Sequence, residues 1–145
     1  LETRDPAARE AALMAALPAH VAHAQQRSAA FADILAGVDA ARQEEIARML
    51  AGANLIVTAR ENGEILGLAR CISDMAWVAY CAELAVKESA QGRGIGRGIL
   101  DTCYDLLGPG MGLILAAEPQ AVGFYERVGM QRLKAGFFRP RTDAS

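Results

Sequence analysis

The chain has 145 residues, with 15 basic against 17 acidic side chains and a formal net charge of -2. That length fits a single domain, residues 1–145, able to bury roughly 70% of its unfolded surface, and the charge lacks the positive excess on which non-specific nucleic-acid binding draws. Hydrophobic residues make up 52%, much of it alanine, but no run of about 18 apolar residues occurs, so a membrane-spanning helix is not expected.

Leu1 to Asp5 does not resemble the basic start of a secretory signal. Cys71, Cys81 and Cys103 are odd in number and lack Cys-x-x-Cys spacing. This favours a reducing, cytoplasmic setting over a disulfide framework or a structural zinc site. His20 and His23 are three apart, but no third ligand has a recognisable spacing, so no metal is expected.

In chain order, Pro6 to His23 is alanine- and leucine-rich and predicts a helix interrupted at Pro18. Ala24 to Gly37 carries Phe31, Ile34 and Leu35 at helical spacing without clear caps. Ala40 to Leu50 predicts another helix, with Ile46, Met49 and Leu50 three and four apart. After Gly52 the period changes. Asn54 to Arg60 and Ile65 to Ile72 read as strands joined by Asn62-Gly63, a strong hairpin dipeptide. A turn at Ser73-Asp74-Met75 leads to a third, antiparallel strand from Trp77 to Val86, which makes Cys71 and Cys81 neighbours about Ala76. A helix from about Gly94 to Leu107, a buried strand from Gly112 to Ala117 and a short helix from Gln120 to Val128 follow. Met130 to Phe138 closes the order as a strand or cramped hairpin, with a loose tail from Pro140.

The most informative stretch runs from Glu83 to Gly96, where a strand delivers the chain into Gln91-Gly92-Arg93-Gly94-Ile95-Gly96 at the start of a helix. Glycines there let unpaired amides approach a phosphate, with the positive end of the helix dipole behind them. Arg93 and Arg97 stand at the mouth and can add charge. No lysine follows Gly96 or Gly98, so this is not a P-loop; position 97 is arginine where the dinucleotide fingerprint needs glycine. The antiparallel meander upstream also argues against a parallel dinucleotide-binding unit.

These residues resemble the GCN5-related N-acetyltransferases, the GNAT superfamily. Gln91 to Gly96 looks like that family's Q/R-x-x-G-x-G/A signature and Glu83-Leu84-Ala85-Val86 like the end of its central fourth strand. Ala121-Val122-Gly123-Phe124-Tyr125-Glu126-Arg127-Val128-Gly129-Met130 is similar to its second hallmark, about 30 residues downstream. The resemblance covers Asn54 to Phe138. Met130 replaces the commoner phenylalanine, and the family's first strand is absent or reduced to Leu1 to Arg4.

The resemblance implies an α/β (α+β) fold: a mixed, mostly antiparallel central sheet flanked by helices, with a splayed parallel strand pair forming the acetyl-coenzyme A cleft. It implies acetyl transfer from acetyl-coenzyme A to a primary amine of a small molecule by direct attack, without a metal. The alternatives are a catalytically silent coenzyme A binding module and a protein N-terminal or lysine acetyltransferase. Cofactor contacts are then expected from the backbone at Leu84, Ala85 and Val86 and from Gln91, Gly92, Arg93, Gly94, Ile95, Gly96 and Arg97. Tyr125 is the candidate acid for the leaving thiolate, its phenol having a comparable basicity. Glu83 is the candidate base, although it can equally pair with Arg70 across the hairpin; Tyr80 is a second proton-relay candidate. Phe31, Trp77, Phe137 and Phe138 are candidates for an apolar acceptor wall. Glu118 can cap the helix near Gln120. The apolar Gly136-Phe137-Phe138, near the end with little downstream chain to cover it, suggests a homodimer.

Overall fold

The computed structural model describes residues 39–142. The expected helices before Gly37, with Pro18, His20, His23 and Phe31, and the possible strand at Leu1 to Arg4 lie outside the described residues. So do the last three residues of the tail.

The described chain begins with α1, Ala40–Ala51, followed by strands β1, Leu55–Glu61, and β2, Glu64–Ser73. Between the two strands Asn62 and Gly63 both adopt positive φ, 50° and 81°. That is the left-handed pair whose twist matches a hairpin, and asparagine and glycine are the residues that tolerate it. The β2 to β3 turn is held by Asp74, whose carboxylate accepts the N–H groups of Ala76, Trp77 and Val78 at 2.9, 2.8 and 3.1 Å. Those three bonds keep the Asp74 pKa below its ordinary value.

Strand β3, Val78–Val86, pairs antiparallel with β2. Arg70 faces Glu83, but Cys71 faces Cys81, so Ala82 is an extra residue in β3. This bulge has a consequence for side-chain direction. Simple alternation would put Cys81 and Glu83 on one face; the bulge puts Cys81 into the core with Cys71 and leaves Glu83 beside Arg70 on the other face.

Helix α2, Ile95–Leu107, buries Ile99, Leu100, Cys103 and Leu107. Its inner face meets Val57, Ala69, Cys71 and Cys81 in the main core. Gly67 permits the close approach, since a Cβ there would lie 2.9 Å from Ile99 Cδ1 and 3.0 Å from the Ala85 carbonyl oxygen. All three cysteines are buried free thiols. Their mutual hydrogen bonding holds Cys71 below the ordinary thiol pKa and, with burial, pushes Cys81 and Cys103 upward.

The last strand, β4, is Gly112–Ile114 and pairs parallel with β3 at Val78, Ala79 and Tyr80. The sheet is therefore mixed, in the order β1-β2-β3-β4. The long buried strand expected from Gly112 to Ala117 is shortened: Leu113 and Leu115 pack on the core, whereas Ile114 faces outward at the sheet edge. A single 3-10 turn, Pro119–Ala121, enters α3, Val122–Arg127, which replaces the longer helix expected from Gln120. Met130 to Phe138 contains no strand. Apolar residues there make strand formation plausible locally, but no ladder partner is engaged, and Phe137 and Phe138 are exposed. No described helix is long and apolar enough to cross a membrane.

Candidate active site

A cleft of about 500 Å³ opens where β3 ends and α2 begins. Leu84 and Val86 form its strand wall; Gln91, Gly92, Gly94, Ile95, Gly96 and Arg97 form the turn, and Phe124, Tyr125 and Arg127 close it from α3. The turn is shaped by Gly92 and Gly94 at φ 77° and 81°, conformations that side chains disfavour. A Cβ at either position would meet no protein atom within 4 Å, so their open sides form a concave backbone surface.

The first helical bond there runs from Gly98 N–H to the Gly94 carbonyl, at 3.0 Å. The Ile95, Gly96 and Arg97 amides precede it and have no intrahelical acceptor. Neither a side-chain cap nor an acidic residue compensates the first turn. Gln91 braces the loop by donating to the Val86 carbonyl at 3.2 Å. Gly96 also makes room for Phe124, whose Cζ would lie 3.2 Å from an added Cβ. This is how α3 comes close enough to place Tyr125 in the cleft.

Most of the anticipated cofactor residues meet in this cleft, with two differences. Arg93 is not at its mouth. Its guanidinium reaches back to Glu61, donating at 2.6 and 3.4 Å, and the pair raises the arginine pKa and lowers that of the carboxylate. Ala85 turns its methyl toward the opposite face, leaving its backbone as the part available on the strand. Conversely, Phe124 and Arg127, not among the expected cofactor contacts, line the cleft. Their three-residue helical spacing was the available signal. Arg97 lies in the wall and approaches Asp101 at 3.8 Å.

Tyr125 lies in the wall of a second cavity as well, of about 320 Å³, beyond the end of β4. Its ring packs edge-on against Phe124, with centroids 5.1 Å apart. Burial, followed by the influence of Cys81, pushes the phenol pKa upward. The phenol therefore remains a protonated donor at neutral pH.

Glu83 is bound rather than free. Its carboxylate accepts both the Nε–H and an Nη2–H of Arg70, the latter at 2.9 Å. Arg70 also donates to the Met49 carbonyl at 3.2 Å, tying α1 to the sheet. Tyr80 stands opposite Ile72 and beside Ile114 on the same outer face. Trp77 is exposed near the β2 to β3 turn. Glu118 makes no side-chain cap to the 3-10 turn it precedes. Among the described residues, no group of three or more His, Cys, Asp or Glu is placed to hold a metal ion.

Comparison with known proteins identifies the family. A model described as the acetyltransferase (GNAT) domain matches residues 17–139, and the chain belongs to this family of acetyltransferases. No curated protein matches. Among solved structures, a candidate acetyltransferase from Deinococcus radiodurans R1 is 28% identical; the match covers 72% of this chain and 83% of that one, with a TM-score of 0.59. A GNAT-family acetyltransferase from Streptococcus pneumoniae TIGR4 shares the fold at 24% identity, with coverage of 69% and 80% and a TM-score of 0.62. An aminoglycoside acetyltransferase from an uncultured soil metagenomic sample, in complex with sisomicin, shares it at 16% identity, with coverage of 68% of this chain and 74% of that one and a TM-score of 0.53.

Proposed function

We propose that this chain transfers the acetyl group of acetyl-coenzyme A to the primary amine of a small molecule by direct attack. The observation that carries this reading is the position of Tyr125 in the walls of both cavities. A donor cleft and an acceptor cavity meeting at one phenol suit transfer between two bound molecules.

The glycine turn fits the diphosphate portion of coenzyme A because its amides offer several donors while Gly92 and Gly94 leave their approach open. Arg97 and Arg127 supply positive charge at the same wall. The exposed strand edge beyond Tyr80 accommodates the pantetheine arm beside Leu84 and Val86. Support comes from the register: β4 pairing ends at Ile114 opposite Tyr80, whereas β3 continues to Val86. We read this divergence as the parallel-strand opening through which the acyl group reaches the acceptor.

Bound acetyl-coenzyme A would supply an activated thioester. The walls orient the amine for attack and limit access of water. Tyr125 donates its phenolic proton to the departing sulfur and recovers one from solvent. Glu83, fixed by Arg70, serves to position groups on the acceptor side rather than to remove the amine proton. The sisomicin-bound relative supports an amine as the acceptor class.

Calorimetry with coenzyme A, coupled to measurement of amine-dependent thiol release from acetyl-coenzyme A, tests this function. Binding and turnover are expected together. Binding without turnover across primary amines would support the silent coenzyme A module instead.

A further inference from the structure

The cavity beyond Tyr125 has an apolar wall formed by Leu113, Ile114, Leu115, Val122, Met130 and Leu133. Its lining also contains Glu126 and Arg132, which neutralise one another through a 2.7 Å ion pair. Ile114 continues this surface onto the outer sheet face, where its ladder neighbour Tyr80 stands beside Ile72. The next carboxylate along that face is Glu83, and Arg70 grips both of its oxygens. Thus the described acidic groups in the cavity wall and along the Tyr80 face are already paired.

This arrangement distinguishes between classes of amine. A polyamine or aminoglycoside has ammonium groups besides the one that reacts, and this apolar wall, with Glu126 held by Arg132, offers them no uncommitted carboxylate while displacing part of their hydration. A monoamine becomes neutral at its attacking nitrogen and forms a neutral amide, while its remaining body can occupy the apolar volume. At about 320 Å³, the cavity lies near the lower end of small-molecule sites.

We propose that the cavity bounded by Leu113, Ile114, Leu115, Val122, Met130 and Leu133 seats the acceptor, and that the acceptor is a monoamine with an apolar alkyl or arylalkyl body. This rests on the acetyl-transfer reading and specifies its second substrate. The amine nitrogen forms a bond to the acetyl carbon as the carbon–sulfur bond breaks. The sulfur receives the Tyr125 proton, and the nitrogen proton passes to water, which restores the phenol.

The test compares phenethylamine, spermidine and sisomicin by thiol release from acetyl-coenzyme A, using the full chain and its Leu133→Glu variant. Leu133 is exposed and outside the helices and strands, and calorimetry with coenzyme A monitors the donor site separately. Wild-type kcat/KM is expected to favour phenethylamine over either polycation by about tenfold or more. Leu133→Glu should narrow its advantage over spermidine by about threefold, with coenzyme A affinity unchanged. Equal or better turnover of the polycations overturns the proposal, as does turnover of none of the three while coenzyme A still binds. An unchanged substrate ratio in the variant overturns the placement of the acceptor body. Failure of coenzyme A to bind brings down the underlying acetyl-transfer reading and the acceptor proposal with it.

Discussion

Arg70 and Glu83 face one another across β2 and β3, and the guanidinium binds both carboxylate oxygens. Arg70 is buried, and its other contact is the Met49 carbonyl of α1. The pair therefore joins sheet pairing to helix docking. It also favours a positioning role for Glu83 over that of a free base.

Replacing Glu83 with glutamine should leave Arg70 incompletely paired and lower stability by about 1–2 kcal/mol. The expected loss is below that of a fully buried ion pair because the Glu83 side chain is 40% exposed. Denaturant unfolding should show the decrease, while a pH profile of kcat/KM should be scaled down without changing shape. A selective loss on the acidic limb would instead assign proton removal to Glu83.

Tyr125→Phe should preserve coenzyme A affinity and reduce kcat by about 10² to 10⁴, the usual range for loss of a general acid. The packing against Phe124 survives because only the hydroxyl is removed. Since burial raises the phenol pKa, wild-type activity should remain insensitive to tyrosine ionisation through neutral pH and decline only above the ordinary phenol range. Wild-type turnover in the phenylalanine variant would show that Tyr125 acts in packing alone.

Asp74 gives the β2 to β3 turn a distinct pH response. Its folded pKa is depressed by three backbone N–H groups, so its stabilising contribution is present above the unfolded-state pKa of about 3.9. It should fade as pH falls through the lower folded value. Asp74→Asn should reduce this acid-dependent component in urea unfolding; an identical pH dependence in wild type and variant would contradict the turn assignment.

We propose the homodimer expected from the sequence, in which C-terminal segments or the early helices complete each other's walls; Phe137 and Phe138 are exposed and available for such a contact. Light scattering is expected to give the mass of a dimer, and a monomer mass at assay concentration would contradict that arrangement.

Local signals made much of this architecture legible. Asn62-Gly63 marked the hairpin through its permitted dihedrals, and the glycines after Val86 marked the backbone cradle. The symmetry of Cys71 and Cys81 about Ala76 also identified their pairing. The bulge at Ala82 was less evident, since an extra strand residue leaves no unique local pattern. The Arg93–Glu61 pair was hidden for a different reason: it joins residues 32 apart. Met130 to Phe138 had apolar residues suited to a strand, but forming one requires a ladder partner supplied by tertiary structure. The two meanings of Glu83 became distinguishable only when Arg70 was placed across from it.

The central claim is that the glycine turn receives coenzyme A through backbone amides, and calorimetric titration of wild type and Gly94→Val tests it most directly. Valine would occupy the open side of a residue at φ 81°, where a Cβ meets no protein atom within 4 Å, and would also strain the left-handed turn. Wild type is expected to bind coenzyme A, with affinity lowered by about tenfold or more in Gly94→Val, corresponding to about 1.4 kcal/mol or more. Equal affinities would contradict this account of the cleft.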